Sequence, residues 1–138
     1  MITTFPDGAD GAFAESMVVD RAGTLYVSVT TWSAAGWNSG QIWKITPNGR
    51  RTRFGPAIPS GLLTGLALDR SGRLYVGLAA WEEPGLPTVA PGVVRVNVNG
   101  TVTRVLTLPN GPSDTASFPN GLAFRGDDLY VSDSTGSI

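Results

Sequence analysis

The sequence predicts an all-β fold, a β-propeller segment of about three four-stranded blades, half of a six-bladed ring. Three observations predict it. One stretch occurs three times: Gly65-Leu-Ala-Leu-Asp-Arg-Ser-Gly-Arg-Leu-Tyr-Val-Gly77, Ser16-Met-Val-Val-Asp-Arg-Ala-Gly-Thr-Leu-Tyr-Val-Ser28 and Gly121-Leu-Ala-Phe-Arg-Gly-Asp-Asp-Leu-Tyr-Val-Ser132. Each copy reads as an apolar run, a polar turn and then Leu-Tyr-Val, two antiparallel strands joined by a short connection. The copies recur at about 50 residues, a period that marks repeat architectures such as propellers. No segment keeps a 3.6-residue period, and Gly or Pro interrupts most windows long enough for a helix.

The elements follow in order. Residues 2–5 are a β-favouring run in the place that residues 51–54 occupy one repeat later, so they read as the last strand of a preceding blade, with a linker to residue 14. Blade one spans 15–55. Its strands A and B are 17–19 and 24–29, joined by the Asp20-Arg-Ala-Gly23 turn. A loop from Thr30 to Gly40 carries Trp32 and Trp37. Strand C is 41–45, Asn48-Gly49 forms the two central residues of a type I′ hairpin turn, and strand D is 51–54. Blade two spans 56–108 and repeats the order: 66–68, 73–78, a loop with Trp81, Glu82 and Glu83, then 93–96, Asn99-Gly100 and 102–106. An incomplete blade three spans 109–138, with strands at 122–124 and 129–131 and the start of a strand C at 135–138. Tyr26, Tyr75 and Tyr130 fall at one point of each repeat and are read as core between sheets.

Composition narrows the chemistry. Ten Lys and Arg face eleven Asp and Glu, so no basic stripe marks a nucleic-acid partner. The 138 residues include no Cys and no His. Disulfides, thiolate nucleophiles, Ser-His-Asp triads and His-ligated zinc are thereby excluded. Oxygen donors remain, and these suit hard cations such as calcium. The first residues lack the basic and apolar regions of a signal peptide, and no apolar run reaches the ~18 residues of a membrane helix. The chain reads as soluble.

The ends are complementary. Residues 2–5 would complete the blade that the last residues begin, and three blades are too few to close, since propellers have four to eight. Two readings stay open: a homodimer closing a six-bladed ring, or a piece of a longer six-bladed chain whose remainder is missing.

Strand A lines the channel of a propeller, and the D–A and B–C connections emerge on one face. Glu15, Thr64 and Asn120, each just before a strand A, therefore ring one mouth. Trp32, Trp37, Trp81, Glu82, Glu83 and Asp133 lie in B–C loops on that face. An oxygen-lined mouth walled by Trp suits a cation and a polar small molecule. Each residue also has a plainer reading: Glu15 as a solvated carboxylate, Asn120 and Asp133 as turn residues, Trp32 and Trp81 as packing over the blade tops. Asp20, Asp69, Asp127 and Asp128 fall on the opposite face.

The run Phe118-Pro-Asn-Gly-Leu-Ala-Phe, followed by Leu-Tyr-Val-Ser-Asp-Ser134, resembles the gluconolactonase and senescence-marker-protein (regucalcin-like) family, which includes luciferin-regenerating enzyme. The blade grammar is also similar to NHL-repeat and strictosidine-synthase-like propellers. The first resemblance implies a divalent metal, commonly calcium, at the channel mouth, where it polarises a lactone carbonyl and helps generate the attacking hydroxide. It implies Glu15 as the metal Glu and Asn120 as the metal Asn. Thr64, Trp32, Trp81 and Asp133, placed on the same face by the blade order, are read as substrate-binding positions. This sequence departs from the family in two ways. The family's Glu and Asn lie three blades apart and these lie two apart, so Asn120 also matches the family's substrate-contacting Asn. The family's later Asp has no counterpart. Three functions follow as expectations: a metal-dependent lactone or ester hydrolase, a non-catalytic propeller scaffold binding a ligand or protein on the Trp-rich face, and a fragment inactive until its missing blades are restored.

Overall fold

The structure is a computed structural model that describes residues 11–33, 36–59, 62–79, 89–109 and 117–134. Residues 2–5, Trp81, Glu82, Glu83 and residues 135–138 lie outside these. The described residues hold ten strands and no helix. Strands β1 (Ala12–Val19), β2 (Leu25–Ser33), β3 (Gly36–Ile45) and β4 (Arg51–Pro59) form one sheet in chain order. Strands β5 (Leu62–Leu68), β6 (Leu74–Ala79), β7 (Gly92–Val96) and β8 (Val102–Thr107) form a second. Strands β9 (Pro119–Arg125) and β10 (Asp128–Asp133) pair as a hairpin. All pairings are antiparallel.

Each turn has a visible cause. In the first two copies of the repeat, Gly23 and Gly72 donate to the Asp20 and Asp69 carbonyls and adopt φ of +79° and +78°. Only glycine holds that conformation without strain. The third copy, one residue shorter, closes around Gly126 and Asp127 as a two-residue hairpin. The two Asn-Gly turns differ from expectation. Gly49 donates to the Thr46 carbonyl and Gly100 to the Asn97 carbonyl, so the central pairs are Pro47-Asn48 and Val98-Asn99. Proline's fixed φ suits the first central position of an ordinary turn, and the glycine takes the left-handed place after it.

The strands run longer than the apolar pattern alone suggests. Within the expected loop from Thr30 to Gly40, residues 30–33 and 36–40 are instead paired strand, with Trp32 opposite Trp37 and Ser33 opposite Gly36. Thr and Trp favour a pleated surface, and cross-strand pairing outweighs the turn-like Ser, Gly and Asn around them. Strand β4 continues to Pro59. It is an edge strand, where Pro56 and Pro59 leave no ladder donor unmet. Arg53 lies over the Trp43 ring on that edge, 5.9 Å from its centroid.

The core lies between the two sheets. Tyr26 and Ile42 from the first meet Leu63, Leu66, Leu74, Val76, Leu78, Val94 and Val96 from the second. The hairpin packs on the other face of the second sheet, where Tyr75 meets Phe124 edge-on at 4.9 Å. Tyr26 and Tyr75 are buried, as the repeat implies. Tyr130 is 54% exposed, because its face of the hairpin has no described sheet upon it. Strand β8, the outer edge of the second sheet, is exposed along its length.

Glycine sets the spacing between the second sheet and the hairpin. A Cβ on Gly77 would run into the Thr64 hydroxyl and the Pro119 carbonyl, and one on Gly65 into the Asn120 carbonyl. The obstacles at Gly77 are largely fixed, so Gly77→Ala forces the hairpin off the sheet. Urea unfolding of Gly77→Ala is expected to show a loss of about 1–3 kcal/mol. A variant as stable as wild type would show that this packing is loose.

Candidate functional site

Strands β1, β5 and β9 open the three repeats and lie side by side, with β5 between the others. Each carries a bulge at the same point. On β1, Ala14 pairs with Val29 and Ser16 with Ser28, leaving Glu15 as the extra residue. On β5, Leu63 pairs with Leu78 and Leu66 with Val76, so Thr64 and Gly65 oppose Gly77 alone. On β9, Pro119 pairs with Asp133 and Gly121 with Ser132, leaving Asn120 extra. The three rim residues are thus bulge residues inside strands, rather than loop residues ahead of them. The sequence did carry a signal: each precedes Ser or Gly, and glycine within a strand often marks a bulge.

Hydroxyl groups tie the bulges together. Ser16 Oγ accepts the Leu66 N–H at 3.2 Å and Thr30 Oγ1 accepts the Leu63 N–H at 3.0 Å. Ser28 Oγ donates to the Thr64 carbonyl at 3.1 Å. Thr64 Oγ1 donates to the Pro119 carbonyl at 2.6 Å. Thr64 is fully buried and its hydroxyl is engaged in this bond. Glu15 is half-buried and Asn120 exposed. Asp133 Oδ1 accepts the Phe118 N–H at 2.8 Å and so braces the chain just before Asn120. Trp32 is half-buried on strand β2, where its backbone N–H donates to the Gly11 carbonyl. The structure therefore brings Glu15, Thr64 and Asn120 onto adjacent strands at one level, with Asp133 behind Asn120.

A cavity of about 630 Å³ lies at the other end of the same strands. The strand ends Val19, Leu68 and Phe124 line it, with the turns at Asp20–Ala22 and Asp69–Gly72. Its first lining residues, Val19, Leu68 and Phe124, lie four positions along the strands from Glu15, Thr64 and Asn120, about 13 Å at 3.3–3.4 Å per residue. Sequence reasoning placed these aspartates but not the cavity. Its carboxylates serve the turns. Asp20 Oδ1 accepts from Ala22 and Thr24, and Asp69 Oδ1 from Ser71 and Arg73. The Arg73 guanidinium also pairs with Asp69. Arg70 pairs with Asp127 at 3.1 Å, an exposed contact of small worth.

The Thr24 backbone N–H is the main influence on Asp20 and holds its carboxyl below the usual range. For Asp69, burial pushes upward, but the Arg73 backbone and side-chain donors and the Ser71 N–H outweigh it and hold the carboxyl low. Burial, followed by the Asp20 charge, pushes the Tyr26 hydroxyl up.

Among the described residues no group of three or more His, Cys, Asp or Glu is placed to hold a metal. No helix among them is long and apolar enough to cross a membrane. No protein-family model, curated protein or solved structure matches the chain.

A carboxyl held low in the folded state stabilises the fold above its unfolded value, near pH 4, and that stabilisation is lost as pH falls through the folded value. Asp69→Asn keeps an acceptor for the two N–H groups and loses the charge. It is expected to lower stability by about 1–2 kcal/mol at pH 7 and to decline less steeply below pH 4. Urea unfolding at pH 7 and pH 3 reads both; an undiminished acid decline would exonerate Asp69.

Proposed function

We propose that the chain is three units of a six-bladed β-propeller, and that its Glu15–Asn120 mouth belongs to a calcium-type, metal-dependent hydrolase of lactones or related esters. The meander order of the sheets and their face-to-face stacking support the propeller part. One observation carries the site. The three adjacent lead strands bulge at the same point, and the bulge residues are Glu15, Thr64 and Asn120. Bulges gather beside active sites because they turn a side chain out of the ladder's alternation.

The chemistry follows from the donors. Without His or Cys, the nucleophile is water. Glu15 supplies a negative charge and two acceptor oxygens, and Asn120 an amide that both accepts and donates. Thr64 is fully buried and its one hydroxyl proton is committed to the Pro119 carbonyl, so it offers no proton to a ligand. Glu15 and Asn120 fit a hard cation in kind and provide part of the six to eight oxygens that calcium takes. A bound cation of this sort supplies polarisation of a carbonyl oxygen. The chain's own part is to fix the carboxylate and amide on strands braced by the Ser16, Thr64 and Asp133 hydrogen bonds.

A second reading is favoured by the Trp32–Trp37 pairing, which carries strands β2 and β3 past the last paired residues of β1 and β4. On that reading the chain is a non-catalytic scaffold, and a ligand or protein docks on the Trp face.

Calcium melting and lactone turnover separate the two. On the hydrolase reading, calcium a hundredfold above its Kd stabilises by about 2.7 kcal/mol. Glu15→Ala and Asn120→Ala each abolish that gain along with turnover. A melting temperature indifferent to calcium, with no lactone hydrolysed above background, would sink it. The scaffold reading instead has Trp32→Ala abolishing ligand capture while calcium has no effect.

A further inference from the structure

The three units share one pattern of faces. Cross-strand partners stand on the same side of a sheet, so the register assigns each residue to a face. One face of the first sheet carries Ser16, Val18, Tyr26 and Ser28. The matching face of the second carries Gly65, Ala67, Tyr75 and Gly77, and that of the hairpin Gly121, Ala123, Tyr130 and Ser132. The other faces are aliphatic: Met17, Val19, Leu25 and Val27 in the first sheet, Leu66, Leu68, Leu74 and Val76 in the second, Leu122, Phe124, Leu129 and Val131 in the hairpin.

Each described junction joins the tyrosine face of one unit to the aliphatic face of the next. Tyr26 lies in one core cluster with Leu66, Leu74 and Val76, and Leu68 packs against that cluster. Tyr75 meets Phe124. Two half-junctions are then left over. The aliphatic face of the first sheet keeps Val27 buried in a cluster with Val29 and Ile45 but shows Met17 at 68% and Val19 at 59% exposure toward its turn end, and the tyrosine face of the hairpin shows Tyr130 at 54%. Val19 stands where Leu68 and Phe124 stand in their repeats, so the open faces are the two halves of a junction this chain already makes twice.

The polar bonds match as well. Ser28 Oγ accepts the Ser16 N–H at 3.1 Å and donates onward to the Thr64 carbonyl of the next unit. Ser132 Oγ accepts the Gly121 N–H at 3.0 Å in the same way. The residue at the Thr64 position of the first unit is Glu15.

Resting on the propeller reading, we propose that a second copy of this chain closes the ring. The tyrosine face of each hairpin seats on the aliphatic face of the other copy's first sheet. Tyr130 covers Val19 and Met17 of the second copy, and Ser132 Oγ donates to its Glu15 carbonyl. The two junctions are equivalent, six units complete the circle, and the range of known propellers accommodates that number. Closure also sets Asn120 of one copy next to Glu15 of the other. The mouth then holds two such pairs, doubling the oxygen donors one chain offers.

Analytical ultracentrifugation of the full chain tests this in buffer with chelator, so that the hydrolase reading plays no part. The expected species is two chains. Val19→Glu and Tyr130→Arg, both at exposed positions, are each expected to sediment as one folded chain with an unchanged circular-dichroism spectrum. Mixed in equal amounts they are expected to recover a two-chain species, since one junction is native and the other pairs Glu with Arg. A wild-type monomer, or an open series of larger polymers, overturns the proposal. So does a dimer broken by only one variant, which would mean a face pairing with its own copy. A two-chain species indifferent to calcium leaves the ring standing and removes the hydrolase reading alone.

Discussion

A bulge takes a residue out of the hydrogen-bond ladder, and the rest of the structure depends on how the freed backbone groups are met. Three lead strands bulge where they lie against one another, and an unpaired backbone group in a buried place costs about 1–3 kcal/mol. Hydroxyl side chains from the neighbouring unit answer the need. The Leu63 and Leu66 N–H groups go to Thr30 and Ser16, the Thr64 carbonyl to Ser28 and the Pro119 carbonyl to Thr64. Among the described residues no buried side-chain nitrogen or oxygen lacks a partner. These bonds set both the spacing and the register between sheets, which area burial alone does not, because apolar contact is non-directional. They also explain the glycines. Where a carbonyl must approach within hydrogen-bond distance of the next sheet, as at Gly65 and Gly77, a side chain would hold it away.

What could be read from the chain follows from the range of each interaction. The Leu-Tyr-Val strands, the Asp-to-Gly turns and the burial of Tyr26 and Tyr75 are legible because alternation and turn chemistry act within a few residues. The bulges are signalled only by glycine inside a strand, at Gly65 and Gly121, because register is decided by the partner strand. Ser16, Ser28, Thr30 and Thr64 look like ordinary polar positions of an alternating strand, and nothing local marks them as bonded across sheets. The Asn48-Gly49 turn shows a local rule yielding to a stronger local one, with Pro47 taking the first central place, whereas in the Asn99-Gly100 turn Val98 holds that place without such a cause. The β2–β3 hairpin was hidden because Gly36, Asn38 and Gly40 resemble loop, whereas the Trp32–Trp37 pairing is a property of two strands together. Of the candidate site, the level of Glu15, Thr64 and Asn120 was legible from the repeat, and the engagement of Thr64 was not.

The repeat also explains why one set of faces is aliphatic and the other mixed. A junction of two aliphatic faces would slide, since neither side offers a fixed donor. Pairing Tyr and small residues with Leu, Val and Phe lets the ring fill the space over the small side chains. The hydroxyl bonds near the bulges then lock the position. Among the described residues the first sheet and the hairpin present unlike faces, so the second copy proposed above would meet them head to tail rather than face to face. A head-to-tail contact closes when its rotation divides the circle and otherwise propagates. Closure is therefore a property of the angle between sheets, which the bulge bonds hold.

The three bulge positions are equivalent in the fold but carry three different residues. If the position served only to join sheets, Thr would suit all three, since its hydroxyl makes the Thr64–Pro119 bond. Glu15 and Asn120 depart from that at the positions where the structure leaves the side chain partly or fully exposed. A carboxylate placed there adds repulsion with any neighbouring acid and gains the scaffold nothing, because the local bond to the second sheet is made by Ser16 instead. The substitution pattern thus separates the middle position, given to structure, from the flanking two, given to the solvent side. That division is the physical ground for proposing Glu15 and Asn120, rather than Thr64, as the residues that meet a ligand. The cavity at the turns offers no such ground, because there Asp20 and Asp69 are both occupied in closing their own turns.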